Sequence, residues 1–237
     1  MENISVLSKQ VSSNDYRYER KFFISEVPKQ GVETLVKLHP AMFSEMYHQR
    51  FVNNIYFDSV NLGNYHDNIE GSTHRIKVRI RWYGELFGRI DKPVLELKIK
   101  DGFIGKKESF LLPPFEIGHG FNTQTISNLI AESDIPEIIK MKLKFLEPVL
   151  LNRYSRKYFQ SANKDYRITV DTDLVFYEIR HQNNSFLNKL INDIDVILEL
   201  KYARDMDHKV NYISNGFPFR LTKSSKYVIG IDKLYSW

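Results

Sequence analysis

The stretch Ile76-Lys77-Val78-Arg79-Ile80-Arg81-Trp82 decides how the chain is read. Apolar and basic residues alternate strictly, the period of two that marks a β-strand with unlike faces. Ile76, Val78 and Ile80 form one face; Lys77, Arg79 and Arg81 form the other. One such strand ordinarily turns its polar face to water, and surface Lys and Arg discourage edge pairing. Here the pattern recurs. In VLELKIK (94–100), Glu96, Lys98 and Lys100 oppose Leu95, Leu97 and Ile99. In 166–174, Arg167, Thr169, Asp171 and Asp173 alternate with Ile168, Val170 and Leu174. In VILELKY (196–202), Glu199 and Lys201 oppose Leu198 and Leu200, and near the start Glu19 and Lys21 share a face.

Outward from these segments, period-two runs predict strands near 16–24, 51–58, 74–83, 93–100, 105–112, 150–160, 166–176, 194–202 and 217–223. Helical spacing is expected over 28–38, which opens on Pro28 and carries Val32, Leu35 and Val36. A second helix is expected over 59–69 behind the capping residues Asp58 and Ser59. Further helices fall at 124–132, at 135–146 with Ile138, Met141 and Phe145 on one stripe, and at 185–192. The last, 224–236, follows Ser224-Ser225 and places Tyr227, Val228, Ile231 and Leu234 on one face. These elements predict an α+β fold, a mostly antiparallel sheet or barrel with helices packed around it. Residues 1–13 are polar and expected to be mobile, leaving 14–237 as one domain.

The bulk numbers narrow the class. A 237-residue chain that is 42% hydrophobic can bury a sizeable core. No stretch approaches the ~18 apolar residues a membrane-spanning helix needs. The first twenty residues lack the apolar centre of a secretory signal, so a cytoplasmic setting is expected. Absence of cysteine excludes disulfides and thiolate metal sites and fits a reducing compartment. Asn183-Asn184-Ser185 is formally a glycosylation sequon, read as chance without an export signal. A net charge of +5 suits an anionic ligand. GFIGKK (102–107) is too short for a Walker A loop, and the histidines show no HExxH spacing.

If the amphipathic helices cover the sheet's apolar side, the charged side faces either water or a lumen. About eight strands make a barrel whose interior holds side chains and one ligand. A lumen lined by Arg and Lys is strained when empty, because neighbouring like charges raise one another's free energy and burial adds desolvation. A polyanion relieves both. Phosphates fit well, since Arg offers a bidentate fork and Lys a compact charge. Carboxylates among the cations point to a hard metal ion bridging phosphate oxygens.

The ordered set YERKFFI, NNIYFDS, RIKVRIRWYG, LELKIK, GKKESF, LNRYSRKYF, RITVDTDL, VILELKY and LTKSSKYVIGID, from Tyr16 to Leu234, resembles the VTC domain. That is the catalytic domain of the vacuolar transporter chaperone polyphosphate polymerase, in the triphosphate tunnel metalloenzyme (CYTH-like) superfamily. The resemblance implies an antiparallel β-barrel tunnel with flanking helices and a C-terminal helix at one mouth. It also implies transfer of the terminal phosphoryl of a nucleoside triphosphate to a polyphosphate chain, with a divalent metal (Mn2+ or Mg2+). Carried over by position, it implies phosphate ligands at Lys21, Arg79, Arg81, Lys98, Lys107 (or its neighbour Lys106), Arg153 and Arg167. It further implies a metal-binding Glu199 and a basic cluster of Lys223, Ser225 and Lys226 before the final helix. Independently, a helix starting near Ser224 aims unpaired N–H groups and a positive dipole end at whatever precedes it.

The first strand departs from the superfamily's ExExK: in RYERK, Arg17 replaces the first glutamate. Fewer carboxylates favour the VTC type over a two-metal hydrolase, and Glu19, Glu96 and Asp171 are read as partners of tunnel cations. Two alternatives stay open, a tripolyphosphatase using the same tunnel and a non-catalytic module binding polyphosphate or inositol phosphates. Nucleic acid is not expected as a partner, because interleaved stacking aromatics are not evident. A separate membrane protein that moves the product is a further expectation.

Overall fold

The computed structural model describes residues 17–101, 104–182 and 184–235. The expected mobile N-terminus, Tyr16 and Asn183 of the sequon lie outside the described residues. In chain order the elements are β1 (Arg17–Ile24), α1 (Lys29–Lys37), β2 (Ser44–Asp58), α2 (Gly63–Glu70), β3 (His74–Tyr83) and β4 (Gly88–Ile90). There follow β5 (Val94–Asp101), β6 (Ile104–Leu111), β7 (Phe115–Ile117), α3 (Thr123–Glu132), α4 (Glu137–Leu143), β8 (Glu147–Gln160) and β9 (Tyr166–Glu178). Last come β10 (Leu190–Asn192), β11 (Val196–Ala203), a 3-10 turn (Arg204–Met206), α5 (Val210–Ser214) and α6 (Lys226–Leu234).

The main sheet is antiparallel and runs β1-β11-β9-β8-β2-β3-β5-β6, with β10 on β9. Helices cover its apolar face in two places. Ile126 and Leu129 of α3 and Ile139 and Leu143 of α4 pack with Ile55, Val78, Ile80, Trp82, Leu95 and Leu151. Val32 and Val36 of α1, with Val210 and Phe217, pack with Phe22, Ile168, Val170, Leu198 and Leu200. Each such large apolar side chain, fully buried, contributes roughly 1.5–3 kcal/mol. The face they leave uncovered is the charged one, and the sheet curls around it. Among the described residues the curl does not close: β1 and β6 are not hydrogen-bonded to each other.

Helix α6 closes one end of the inner face. Tyr227 and Ile231 pack with Tyr56, Leu150, Leu174, Phe176 and Ile197. The helix is held by polar contacts as well: the Tyr227 hydroxyl donates to buried Asp58, and the Tyr65 hydroxyl donates to Asp232. Asp58 also accepts from the backbone N–H groups of Ser59, Asn64 and Tyr65 at 2.7–2.9 Å, so the capping carboxylate serves α2 and α6 together. No helix among the described residues is long and apolar enough to cross a membrane.

The structure corrects several expectations. The 135–146 helix is shorter, and Ile138, Met141 and Phe145 face outward at 60%, 52% and 78% exposure; Ile139 and Leu143 hold the core. Residues 185–192 form no helix; Leu190–Asn192 pairs with Phe176, Val175 and Leu174 as β10. The 217–223 strand reduces to one bridge, Phe22 with Leu221. Asp173 leaves the charged face because it sits in the left-handed region (φ 52°), beside the slip in β8–β9 register, and pairs with Lys29 at 2.7 Å. Strand β2 extends back to Ser44, and α5, β4 and β7 were not foreseen.

Candidate active site

Two walls carry the charged face. On the first, register sets Lys77 of β3 opposite Lys98 of β5, Arg79 opposite Glu96, and Lys98 opposite Lys107 of β6. Buried Glu96 accepts from Arg79 at 2.6 and 2.7 Å and from Lys107 at 2.7 Å, with Arg81 at 3.6 Å. Burial would raise its carboxyl, but Arg79, Arg81 and Lys107 outweigh burial and hold it far below the usual range. Arg81 donates to Asn54 at 3.1 Å, and Asn54 in turn donates to Asn152 at 2.9 Å. This network orients both guanidinium groups of the RxR pair before any ligand arrives.

The second wall is β8, β9, β11 and β1. Arg156 grips Asp171 through both oxygens at 2.5 and 2.6 Å and lies 3.7 Å from Glu199. Glu199 also has Lys201 at 3.1 Å, Lys226 at 3.5 Å and Lys21 at 3.6 Å. Glu19 shares Lys21 and Lys201, each at 3.5 Å. Tyr154 sits among these cations. Burial opposes ionisation of its phenol, yet Arg156, Arg81 and Lys226 prevail and lower it.

Helix α6 supplies the third side. Lys226 reaches Asp171 at 2.5 Å, Ser225 accepts from Lys77 at 3.0 Å, and Lys21 donates to the Ser224 carbonyl at 3.5 Å. Among the described residues no side chain caps the helix, so its first-turn N–H groups add to the positive potential. The Ser224 and Thr169 hydroxyls are buried at this site without a hydrogen-bond partner among the described residues.

Among the described residues, nine converging cations (Lys21, Lys77, Arg79, Arg81, Lys98, Lys107, Arg156, Lys201, Lys226) face four carboxylates (Glu19, Glu96, Asp171, Glu199). The excess charge is felt across the cavity. Burial, then Lys21 and its basic neighbours, push Lys77 down to about 7; burial, then Arg79, push Lys98 down to about 7. Lys98 keeps an exposed surface although protein charge surrounds it, the condition of a group lining a hydrated channel, so water tempers its shift. Glu19 and Glu199, at the far end of the ladder, act on Lys98, so β1 and β11 face β5 across the space.

Among the described residues no cluster of three His, Cys, Asp or Glu could hold a metal alone. The donor set does fit a metal shared with phosphate. Asp171 is fully engaged at 2.5–2.6 Å, whereas the contacts to Glu199 are all 3.1 Å or longer. Glu199 therefore keeps coordinating capacity, and one carboxylate plus substrate oxygens is an ordinary magnesium donor set.

Of the residues singled out from sequence, Lys21, Arg79, Arg81, Lys98, Lys107, Glu199, Ser225 and Lys226 converge here. Arg167 lies on the same face, opposite Lys201 and exposed; Lys223 is exposed on the approach to α6. Arg153 does not converge. It lies on the opposite face of β8, its guanidinium 3.8 Å from the Phe51 ring and 3.9 Å from Glu85. Lys106 points away and pairs with Glu108 at 2.6 Å. Sequence reading passed over Arg156, Lys77 and Tyr154 as site residues. The signal for Arg156 was the alternation Asn152, Tyr154, Arg156, Tyr158 against Leu151 and Phe159; the equally basic Arg153 obscured it.

A model of the VTC domain family matches residues 16–235. No curated protein matches the chain in sequence. Among solved structures, the PH1819 protein of Pyrococcus horikoshii superposes with a TM-score of 0.52 at 12% identity, covering 92% of this chain and 99% of its own. A candidate adenylate cyclase of Vibrio parahaemolyticus superposes with a TM-score of 0.50 at 10% identity, covering 91% and 98%. At such identity these structures share the fold.

Proposed function

Because the chain belongs to the VTC domain family, we propose that it is a polyphosphate polymerase-like phosphotransferase, moving the terminal phosphoryl of a nucleoside triphosphate onto a polyphosphate chain. The observation that supports this is the convergence of Arg79, Arg81, Arg156 and Lys226 on one internal space, with an uncapped helix start behind them.

Phosphoryl transfer asks the protein for alignment and charge neutralisation rather than a covalent partner. A terminal oxygen of the acceptor chain attacks the γ-phosphorus, the bond to the β-bridging oxygen breaks, and the nucleoside diphosphate leaves with that electron pair. Arg79 and Arg81, steadied by Glu96 and Asn54, present forks to successive phosphates from one wall. Arg156 and Lys226, steadied by Asp171, offer the remaining guanidinium N–H groups and a compact ammonium charge from the other. Lys21, Lys77, Lys98 and Lys107 balance the charge of the chain and the leaving group, with Arg167 and Lys223 at the periphery. Glu199 would hold a manganese or magnesium ion, which when bound supplies further neutralisation of the transferred group. No side chain serves as nucleophile. Movement of the product through a membrane would fall to a separate membrane protein.

Incubation with ATP and manganese, with the products sized on a gel, tests the proposal. Long-chain polyphosphate supports it. Orthophosphate released from tripolyphosphate would replace it by a hydrolase, and tight binding of polyphosphate without turnover by a binding module.

A further inference from the structure

At the end of β3 away from Lys77 the channel face changes character. Tyr83 lies six residues from Lys77, about 20 Å along an extended strand. There the Arg50 guanidinium is surrounded by three tyrosine rings, 4.8 Å from Tyr158, 5.0 Å from Tyr83 and 5.6 Å from Tyr47. Tyr47 and Tyr158 also meet edge to face at 5.9 Å. Tyr83 pairs with Val52 and Arg50 with Arg156, so the cluster continues the charged face rather than the outer surface.

Two features resist a purely structural account. Arg50 stands directly opposite Arg156 in register, and like charges so placed repel. Tyr47 and Tyr83 are 56% and 51% exposed, so much of their ring surface faces solvent. A flat, sequence-tolerant π-face held rigid by a cation is a platform for stacking a base.

We propose that this cluster is the subsite for the nucleobase of the nucleoside triphosphate, a deepening that rests on the phosphotransferase reading above. Phosphates held by Arg81 and Arg156 leave the nucleoside at the rim, where Tyr83 and Arg50 stack the base and Tyr158 carries the surface toward Arg156. An inorganic phosphate chain has no flat apolar end. The platform therefore distinguishes the phosphoryl donor from the acceptor, which the cation-lined interior alone does not.

The test compares ATP, CTP and tripolyphosphate by titration calorimetry on the intact protein and on Tyr83→Leu and Tyr83→Phe, with circular dichroism confirming the fold. Loss of one stacking face should weaken ATP about ten-fold in Tyr83→Leu. Tyr83→Phe should retain ATP affinity, CTP should bind the intact protein more weakly than ATP, and tripolyphosphate should bind all three proteins alike. Unchanged ATP affinity in Tyr83→Leu overturns the subsite, as does an equal loss for tripolyphosphate. Failure of tripolyphosphate to bind the intact protein would instead overturn the phosphate-channel reading. Should Tyr83→Leu misfold, Arg50→Met carries the same comparison.

Discussion

Lys226, the first residue of α6, lies 2.5 Å from Asp171, the same carboxylate that Arg156 holds through both of its oxygens. All three side chains are nearly inaccessible, at 7%, 0% and 9% exposure. One aspartate therefore fixes a wall arginine and the start of the terminal helix together. Removing one member of such a group strands the others, at a cost of about 3–5 kcal/mol. Asp171→Asn should lower stability by that amount in denaturant titration, and tripolyphosphate should restore part of it by supplying the missing negative charge.

Position relative to the sheet separates the two arginines of LNRYSRKYF. Arg156→Gln should weaken tripolyphosphate binding by ten-fold or more, since a hydrogen bond to a charged group contributes about 1.5–3 kcal/mol. Arg153→Gln should leave that affinity within about two-fold, losing its stacking on Phe51 and its exposed contact with Glu85, together worth ~1 kcal/mol of stability. Equal losses in the two variants would refute the placement of Arg156 in the site.

Proton uptake should accompany ligand binding. Lys77 is pushed down to about 7, and Lys98 in the same direction with water tempering the shift, because burial and neighbouring cations disfavour their charged forms. A bound phosphate favours the charged forms and raises both values, so at pH 8 binding draws protons from solution. Affinity should accordingly fall as pH rises above 7. Calorimetry in buffers of differing protonation enthalpy measures the uptake, and Lys77→Met should reduce it.

Acid should act in the opposite sense, through the carboxylates. Glu19, Glu96, Asp171 and Glu199 all sit below their ordinary values: burial raises each, and surrounding Lys and Arg outweigh it. A lowered folded value contributes stability that is complete above the ordinary values of 3.8 and 4.5. That contribution is lost as pH falls below them toward the folded values. Melting temperature should hold from pH 7 to about 5 and then drop steeply. Glu199→Gln, measured at neutral pH, should abolish metal-dependent turnover while circular dichroism stays native.

Gly230 in α6 inverts a general rule. Ala normally improves a helix interior over Gly by about 1 kcal/mol. A Cβ here would stand 2.6 Å from Leu150 and 2.7 Å from Phe176, both packed side chains. Gly230→Ala should instead destabilise by about 1–3 kcal/mol, the range for an overfilled core, and loosen the Lys226 contacts that depend on the seating of α6.

Much of the fold was legible because one face of each strand is apolar and the other charged, a signal of fixed period that local sequence carries in full. IKVRIRW and VILELKY declared their faces, and structure assigned them as read. Legibility ended where a bulge breaks the period. Asp173 has the right spacing from Asp171, but its left-handed backbone turns it out to Lys29. Arg153 and Arg156 are three apart, so they take opposite faces, and only pairing of Arg156 with Asp171 across β9 shows which one faces inward. For α4, the stripe Ile138, Met141, Phe145 and the buried pair Ile139, Leu143 are both apolar. Helical periodicity cannot choose between them; the shape of the covered sheet does. The Arg50 cluster was invisible because its rings come from β2, β3 and β8, brought together by pairing alone.

The gap between β1 and β6 has a consequence of its own. A fully hydrogen-bonded cylinder has a bore set by strand number and stagger, and a thread can enter it only end-on. With α6 stopping one end, such a cylinder would hold a strand of limited length. Here the edge of β1 is bordered by the 221–222 segment, where Leu221 bridges Phe22 and the Thr222 N–H donates to the Lys21 carbonyl, rather than by a ladder to β6. On the phosphotransferase reading proposed above, a wall not closed by a continuous ladder would let a long phosphate chain lie partly inside and partly out without being threaded.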